Sequence, residues 1–583
     1  MNDTVTPASS NNSSKPTASK RSKKPSTIRI GKRYRASRLS EDYDAIVIGS
    51  GIGGLTCAMS LSEMGKKVLV LEQHYTAGGF THAYSREGYE WDVGVHYIGD
   101  VGYPTMTRKL FDFVSNKNLK WAAMDKAYDR IFLGEKHYDL VAGKKSFVES
   151  LIKDFPEEET AIWKYLSMLK KVNNGMRWFT MSKLMPVWLQ SLLSPLFKLL
   201  QPSYFNQTTY RVLKTLTQNE TLIAVLTGQW GDSGVPPKQQ SFLIHSLIAR
   251  HYLNGGYYPV GGASQMAETI IPQIQASGGE VFTYAEVKEI VVENDRACGV
   301  KMADDTIIKA PLIISNAGAF NTYQKLLPKK VSQQYGYDQK LKSIKRSCTN
   351  VGLFIGLKES AESLQLPKTN FWVYLDEHHD ENTQAFFNDS DKPLPVVYIS
   401  FPSAKDPSFE QRYPNRATIE IVAPSGFELF EKWKGTTWGK RGEDYEALSD
   451  QFAERMLSVL YEKLPQVKGK IDYYEASTPL STEYFCHYDQ GEIYGLEHDP
   501  ERFRQKWLKP KSDISGLWLT GQDVLSCGVA GAMIAGFVTA IQILGWRKGA
   551  KLAKKALADY PAPKEGWTIS KENFAPMQDK PIN

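Results

Sequence analysis

A chain of 583 residues is too long for one small core and suits two intertwined domains or more. Its 42% hydrophobic and 23% charged residues are those of an ordinary globular protein, which excludes fibrous and wholly disordered classes. The net charge of +7 belongs to residues 1–40, where ten Lys or Arg face the single acid Asp3; this +9 tail leaves the remainder near neutral at −2, and no nucleic-acid partner is expected.

The tail is rich in Ser, Thr, Asn and Pro and lacks an apolar run, so it is expected to be disordered and is not a secretory signal. It reads either as a polybasic arm for anionic lipid headgroups or as a solvated extension. Five cysteines (Cys57, Cys298, Cys348, Cys486, Cys527) show no CxxC pair and no metal-ligand spacing. No metal site is expected, and a reducing compartment fits best.

Residues 44–79 carry the strongest signal. Ala45, Ile46, Val47 and Ile48 predict a buried parallel strand, and Gly49, Gly51 and Gly54 follow at GxGxxG spacing with an extra Gly53. Residues 55–64 predict a helix and 68–71 a second strand that ends on Glu72. In a dinucleotide site Gly49 permits the tight turn, Gly51 lets the backbone approach a pyrophosphate, and Gly54 lets helix and strand pack closely. The helix N-terminus offers free N–H groups to phosphates. Glu72 can accept bonds from the adenosine ribose hydroxyls, and an acid here disfavours the 2′-phosphate of NADP.

Residues 80–99 alternate apolar positions with glycines and predict short strands, and residues 146–227 read as mostly helical. Within these, 178–205 are the most apolar, but Lys183, Pro186, Gln190, Pro195 and Lys198 interrupt them. No uninterrupted span of about twenty apolar residues exists there. The segment fits either an interfacial, monotopic anchor or the lining of a ligand tunnel. From Gly255 a turn at Pro259, Val260, Gly261 and Gly262 leads into an amphipathic helix over 263–276. Strands follow at Val281 and Phe282, from Val287 to Ile290, and over 312–314, the last running out through Ser315, Asn316 and Ala317. Residues 350–500 alternate strands (351–355, 396–401, 418–422) with a long helix over 445–464, which predicts a second sheet. Finally, a strand at 517–519 runs into Gly521 and Asp523, and Gly528 and Val529 open a small-residue helix to about Leu544. No second GxGxxG follows a strand, so no built-in NAD(P)H domain is expected.

Glu72 followed six residues later by Gly78 and Gly79 resembles the FAD signature of the flavin-dependent amine oxidase and phytoene desaturase superfamily. Longer strings are similar to the retinol saturase family, in the phytoene desaturase and carotenoid isomerase branch. They are EQHYTAGG (72–79), WDVGVHYIG (91–99), GDSGVPP (231–237), HYLNGGYYPVGG (251–262), FPSAKDPSFEQRYP (401–414), GKRGEDYE (439–446) and LTGQDVLSCGVAGA (519–532). The resemblance covers residues 42–544. Phe80 stands where many members of the wider superfamily carry Arg or Lys, and a non-basic residue is common in this branch.

The resemblance implies an α/β fold: a Rossmann-type FAD-binding domain interleaved with a mixed-sheet substrate domain and a helical cap. Residues 41–145, 251–325 and 506–548 would form the FAD-binding domain, 146–250 the cap with its membrane-docking region, and 326–505 the substrate domain; 1–40 and 549–583 are tails. FAD would be held by Gly49, Gly51, Gly53, Gly54, Glu72, Gln73, Gly78, Gly79, Val287, Gly521, Asp523, Gly528 and Val529. In this reading Val287 meets the adenine, and Asp523 the ribityl or phosphate oxygens. The implied reaction moves two electrons between FAD and a conjugated polyene lipid, retinol-like or carotenoid-like, with an external electron donor. A desaturase would run it in reverse and a cis–trans isomerase without net turnover. Proton-donor candidates are His96, Tyr97 and Tyr494, with Glu492 behind them; each also reads as a structural polar group. Cys527 reads as a packing residue. The implied location is peripheral or monotopic on a membrane facing the cytoplasm or another reducing compartment, not secreted. A non-catalytic prenyl-lipid escort of the same fold is the competing class, and retention of Glu72, Gly78, Gly79, Val287 and Asp523 argues against it.

Overall fold

The computed structural model describes residues 26–40, 42–185, 189, 192, 193, 195, 196 and 203–558. The expectations for the basic tail up to residue 25, for most of 186–202 and for the chain beyond 558 lie outside the described residues.

Apolar runs from the beginning, middle and end of the chain meet in one sheet. Strands β1 (Lys32–Arg33), β2 (Ala45–Ile48), β3 (Val68–Leu71), β4 (Glu280–Thr283), β5 (Ile313–Ser315) and β6 (Leu517–Leu519) lie in the order β1-β4-β3-β2-β5-β6. Every neighbouring pair is parallel. Residues of β2 and β3 are all buried, without alternation, as in a parallel sheet covered on both faces. Helix α1 (Ile52–Ser62) is buried along its whole length and packs against α2 (Gln265–Ala276) and α3 (Gly528–Ala556). Glycines set the α1–α3 distance: a Cβ on Gly536 would lie 2.2 Å from the Gly53 carbonyl oxygen. Helix α3 passes Leu544, breaks at Gly545 (φ 71, ψ 179) and restarts. Among the described residues it alone is long and apolar enough to cross a membrane, and its first half packs on α1.

A second sheet has seven strands in the order Ile471–Ser477, Thr349–Leu357, Ala417–Ser425, Val396–Ser400, Asn370–Tyr374, Ala127–Leu133 and Lys136–Val141. Neighbours are antiparallel except Asn370–Tyr374 with Ala127–Leu133. The last two strands come from the segment that the sequence reading gave to the FAD-binding part, so that boundary moves. Their alternation identifies them as strands but does not say which sheet they join. The cap is helical, with Lys144–Asp154 and Glu159–Leu184, and Phe242–Tyr252 packs on the latter.

Candidate cofactor and substrate site

Residues at or beyond the carboxyl ends of β2, β3, β5 and β6 face the second sheet across one cavity of about 1060 Å³. Ligands of open parallel sheets sit at this edge. The glycine loop and the acid are tied together by Ser50. Its N–H and Oγ–H donate to Glu72 Oε2 at 2.9 and 2.7 Å, and its Oγ accepts from Gly78 N–H at 3.1 Å. Glu72 Oε1 accepts from His74 N–H at 2.8 Å. Gly79, in the left-handed region (φ 57), lies against Gly51: a Cβ there would come 2.9 Å from the Gly51 Cα. Asn316, just past β5, is the hub of this floor. A Cβ on Gly51 would meet its Nδ2 at 2.9 Å, and Cβ atoms on Gly53 and Gly521 its Oδ1 at 2.9 and 2.5 Å.

Two helix N-termini open on the cavity. Helix α1 begins after Gly51 and α3 after Cys527, neither with a side-chain cap. Gly51, Ile52 and Gly53 line the cavity, as do Gly528, Val529 and Ala532. First-turn N–H groups have no acceptor within their helix and carry the positive end of its dipole. A Cβ on Gly528 would meet nothing within 4 Å, so the space before α3 is open. An acid for a ribose, bare backbone for a pyrophosphate and a second positive helix end fit a dinucleotide.

Every predicted cofactor residue except Gly54 lines this cavity. Gly54 sits behind the loop, where a Cβ would lie 2.2 Å from the Gly49 carbonyl oxygen, so its work is helix–strand packing. Asp523 is buried and braces two loops: Oδ2 accepts from Ala319 N–H at 2.7 Å and Oδ1 from Leu496 N–H at 3.2 Å. Burial pushes its carboxyl up, and nearby Arg502 pulls it back.

The proton-donor candidates separate. His96 lines the cavity; its Nδ1 is 3.0 Å from Glu420 Oε2, its ring meets Tyr398 edge-on, and no described residue bonds its Nε2. Burial, helped by Lys405, draws it down to about 3, so it is neutral. Tyr494 also lines the cavity, but its hydroxyl donates to the Gly231 carbonyl at 3.2 Å. Tyr97 does not reach the wall, which departs from expectation. It stacks on Tyr252 at 4.0 Å and donates to Asp129 Oδ2 at 2.9 Å, while the neighbouring His96 takes the cavity side. Glu492 is buried and paired with Arg346, off the cavity. Cys527 is buried with its Sγ 3.5 Å from the Asp232 carbonyl oxygen.

Sequence reasoning missed Ser50, Glu420 and Lys405, and it placed Asn316 at a strand end beside the cofactor without giving it a role. Glu420 stands in an alternating strand, where a polar residue ordinarily marks the solvent face. Lys405 lies inside the quoted string FPSAKDP, but nothing local marks a lysine as fully buried.

The sheet, glycine loop, terminal acid and interleaved second sheet define the two-domain α/β oxidoreductase fold of the amine oxidase and phytoene desaturase superfamily. Residues 47–114 match the NAD(P)-binding Rossmann-like domain family. The wild-type putrescine oxidase structure is similar at a TM-score of 0.56 and 14% identity, over 86% of this chain and 98% of that one. All-trans-retinol 13,14-reductase of Rattus norvegicus is 37% identical over 523 residues, 86% of each chain. A Danio rerio protein named inactive all-trans-retinol 13,14-reductase is 31% identical over 86% of each chain. Chloroplastic prolycopene isomerase of Daucus carota is 26% identical over 86% of this chain and 80% of that one. This chain belongs to the all-trans-retinol 13,14-reductase family, as the motif strings implied.

Proposed function

We propose that the protein is an FAD-dependent oxidoreductase that saturates a carbon–carbon double bond of a retinol-like or carotenoid-like polyene. The observation that carries this reading is the continuity of the cavity. At about 1060 Å³ it lies at the top of the range of roughly 300–1,000 Å³ usual for one ligand, leaving room for a cofactor with an apolar ligand beside it. Its wall beyond the glycine floor includes Phe354, Val422, Leu326 and Ile493. The names of the relatives support a polyene as that ligand.

Glu72 would hold the adenosine ribose, Val287 the adenine, the paired glycine segments the pyrophosphate, and the α3 N-terminus the flavin end. Bound FAD would supply the two-electron chemistry. The chain's own part is to bind the polyene in an apolar, water-poor channel, orient it and deliver a proton. His96 is the best-placed donor, because its Nε2 is free to face the cavity while the Tyr494 hydroxyl proton is already bonded to Gly231. Electrons would come from an external donor. Trp178, Met181, Leu192 and Leu196, exposed at the cap, support docking on the membrane that carries such lipids.

The test is anaerobic: load the protein with FAD, reduce it chemically, and mix with all-trans-retinol. Flavin reoxidation with a product two hydrogens heavier supports the reading. An isomer of unchanged mass with flavin still reduced favours isomerisation, the activity in the carrot relative's name. Failure to bind FAD overturns the reading.

A further inference from the structure

Behind His96 lies a cluster of ionisable side chains, none of which lines the cavity. Glu420 is 0% exposed; its Oε2 faces His96 Nδ1 and its Oε1 accepts from Asp92 N–H at 2.8 Å. Asp92 accepts in turn from Ala263 N–H at 2.9 Å and from the Tyr258 hydroxyl. Lys405 is also 0% exposed, and its Nζ donates to the His96 carbonyl oxygen at 2.9 Å, to Ser400 Oγ at 2.8 Å and to Asn370 Oδ1. Three acceptors match the three protons of an ammonium. Asn370 Nδ2 continues the chain to Asp129 Oδ1 at 3.0 Å, and Tyr97 links Asp129 to Asp232. At the edge, Arg412 is paired with both Glu90 and Asp406 at 2.7 Å and adds no free cation.

Asp92, Asp129 and Glu420 therefore lie around one buried ammonium, with Asp232 beyond them across Tyr97. Uncompensated buried charge is costly, so these carboxyls cannot all ionise. Of the cluster only His96 lines the cavity. Resting on the polyene-reduction reading above, we propose that Glu420 is the proton store for that reaction, refilling His96 Nδ1 from Oε2 as His96 Nε2 gives its proton to the substrate carbon.

The balance closes within named groups. One N–H bond at Nε2 breaks and one C–H bond forms; one O–H bond at Glu420 breaks and one N–H bond forms at Nδ1. The imidazole ends neutral in its other tautomer, and Glu420 ends as a carboxylate beside the Lys405 ammonium. The two electrons and the second hydrogen are those the reduced cofactor supplies in any such reduction. Burial holds Glu420 well above an ordinary carboxyl, against the pull of the Asp92 N–H and Lys405, so it carries its proton at neutral pH. Burial also draws Lys405 down to about 7, and Glu420, Asp129 and Asp92 oppose this only as they ionise, so the carboxylate left on Glu420 after it gives up its proton favours the ammonium beside it. Glu420 acts through His96 and is thus a positioning and supplying residue.

Glu420→Gln preserves shape and the Asp92 contact but has no acidic proton. With FAD-loaded, chemically reduced protein and all-trans-retinol in single turnover, the wild-type rate constant should fall on the alkaline side as Glu420 ionises, and fall again in deuterated solvent. Glu420→Gln should slow the step by about 100-fold, the lower end of the range for general acid catalysis, and lose the alkaline limb, with FAD affinity unchanged. Retention of the wild-type profile by Glu420→Gln overturns the proposal. An infrared difference spectrum of oxidised wild type minus Glu420→Gln, without retinol, should show one protonated-carboxyl band at neutral pH. Its absence overturns the proposal whatever the substrate. The band present in a protein that reduces no polyene sinks the functional reading, and with it the assigned use of the proton.

Discussion

Replacing Glu72 with glutamine tests the glycine loop and the acid as one device. The carboxylate accepts three bonds of 2.7–2.9 Å, two from Ser50 and one from His74 N–H. Glutamine turns one oxygen into an NH₂ donor. Facing His74, the amide forfeits that bond and leaves the N–H without an acceptor; facing Ser50, it forfeits the bond from the backbone. The better orientation loses one charge-assisted bond, worth about 1.5–3 kcal/mol, and weakens the others to neutral strength. The expected destabilisation of the cofactor-free protein is about 2–4 kcal/mol, read from urea unfolding. Ser50 Oγ also holds Gly78 N–H, so the glycine pair loosens, and the charged acceptor for the ribose is gone. FAD affinity, followed by quenching of flavin fluorescence, should fall about 10- to 100-fold, equivalent to roughly 1.4–2.8 kcal/mol. A stability change below about 0.5 kcal/mol with unaltered FAD affinity would refute the idea that Glu72 joins loop to ligand.

Gly536→Ala places a methyl 2.2 Å from the Gly53 carbonyl oxygen and must part α1 from α3, lowering stability by about 1–3 kcal/mol in thermal melting and weakening FAD; an unchanged melt would show that the helices have slack. Tyr97→Phe removes the hydroxyl that Asp129 and Asp232 share, which costs about 1–3 kcal/mol of stability and leaves the rate of retinol-driven flavin reoxidation unaltered; a large rate loss would return Tyr97 to the chemistry. His245, bonded to the Tyr165 hydroxyl at 2.9 Å, is drawn by burial down to about 3. Its folded value lies below its unfolded value of about 6.5, so the unfolded chain binds more protons between the two and stability falls as pH falls through that window, by at most ~1.4 kcal/mol per pH unit. The stability of His245→Gln relative to wild type should therefore rise by about 1 kcal/mol from about pH 6 to about pH 5 in parallel urea titrations; a constant difference would mean that His245 is charged in the fold.

The strands and glycines of the cofactor half were legible because their reasons are local. A run such as Ala45–Ile48, with no polar residue, has one stable place, inside a parallel sheet. Gly49 and Gly79 adopt φ of 93 and 57, which a side chain resists wherever the rest of the chain goes. Asn316, Glu420 and Lys405 were not legible, because their roles depend on what arrives from elsewhere. Glu420 sits in a strand whose alternation reads as half-exposed, and it is covered by Asp92 and His96 from one other segment and Lys405 from a second. Tyr97 lies off the cavity wall for a related reason. The string around it was recognisable, but which of two adjacent side chains faces the cavity is set by Tyr252 and Asp129, the partners from distant segments that hold Tyr97.

The interleaving of the chain follows from how the glycine loop is held. Gly53 is enclosed by Gly521 from the turn after β6, by the Ala532 carbonyl and Gly536 from α3, and by Asn316 from the end of β5. The dinucleotide motif near the start of the chain therefore has its geometry imposed by residues from the middle and the end. Without β6 and α3, helix α1 would lose the partner against which its fully buried surface packs, and Asn316 would lose one wall of its niche. Burying an apolar surface on that scale is worth far more than any single hydrogen bond in the loop. The geometry of the loop thus depends on β6 and α3 being in place. The same packing brings Gly528 and Val529 to the cavity beside Gly51 and thus completes both the floor and the second positive helix end.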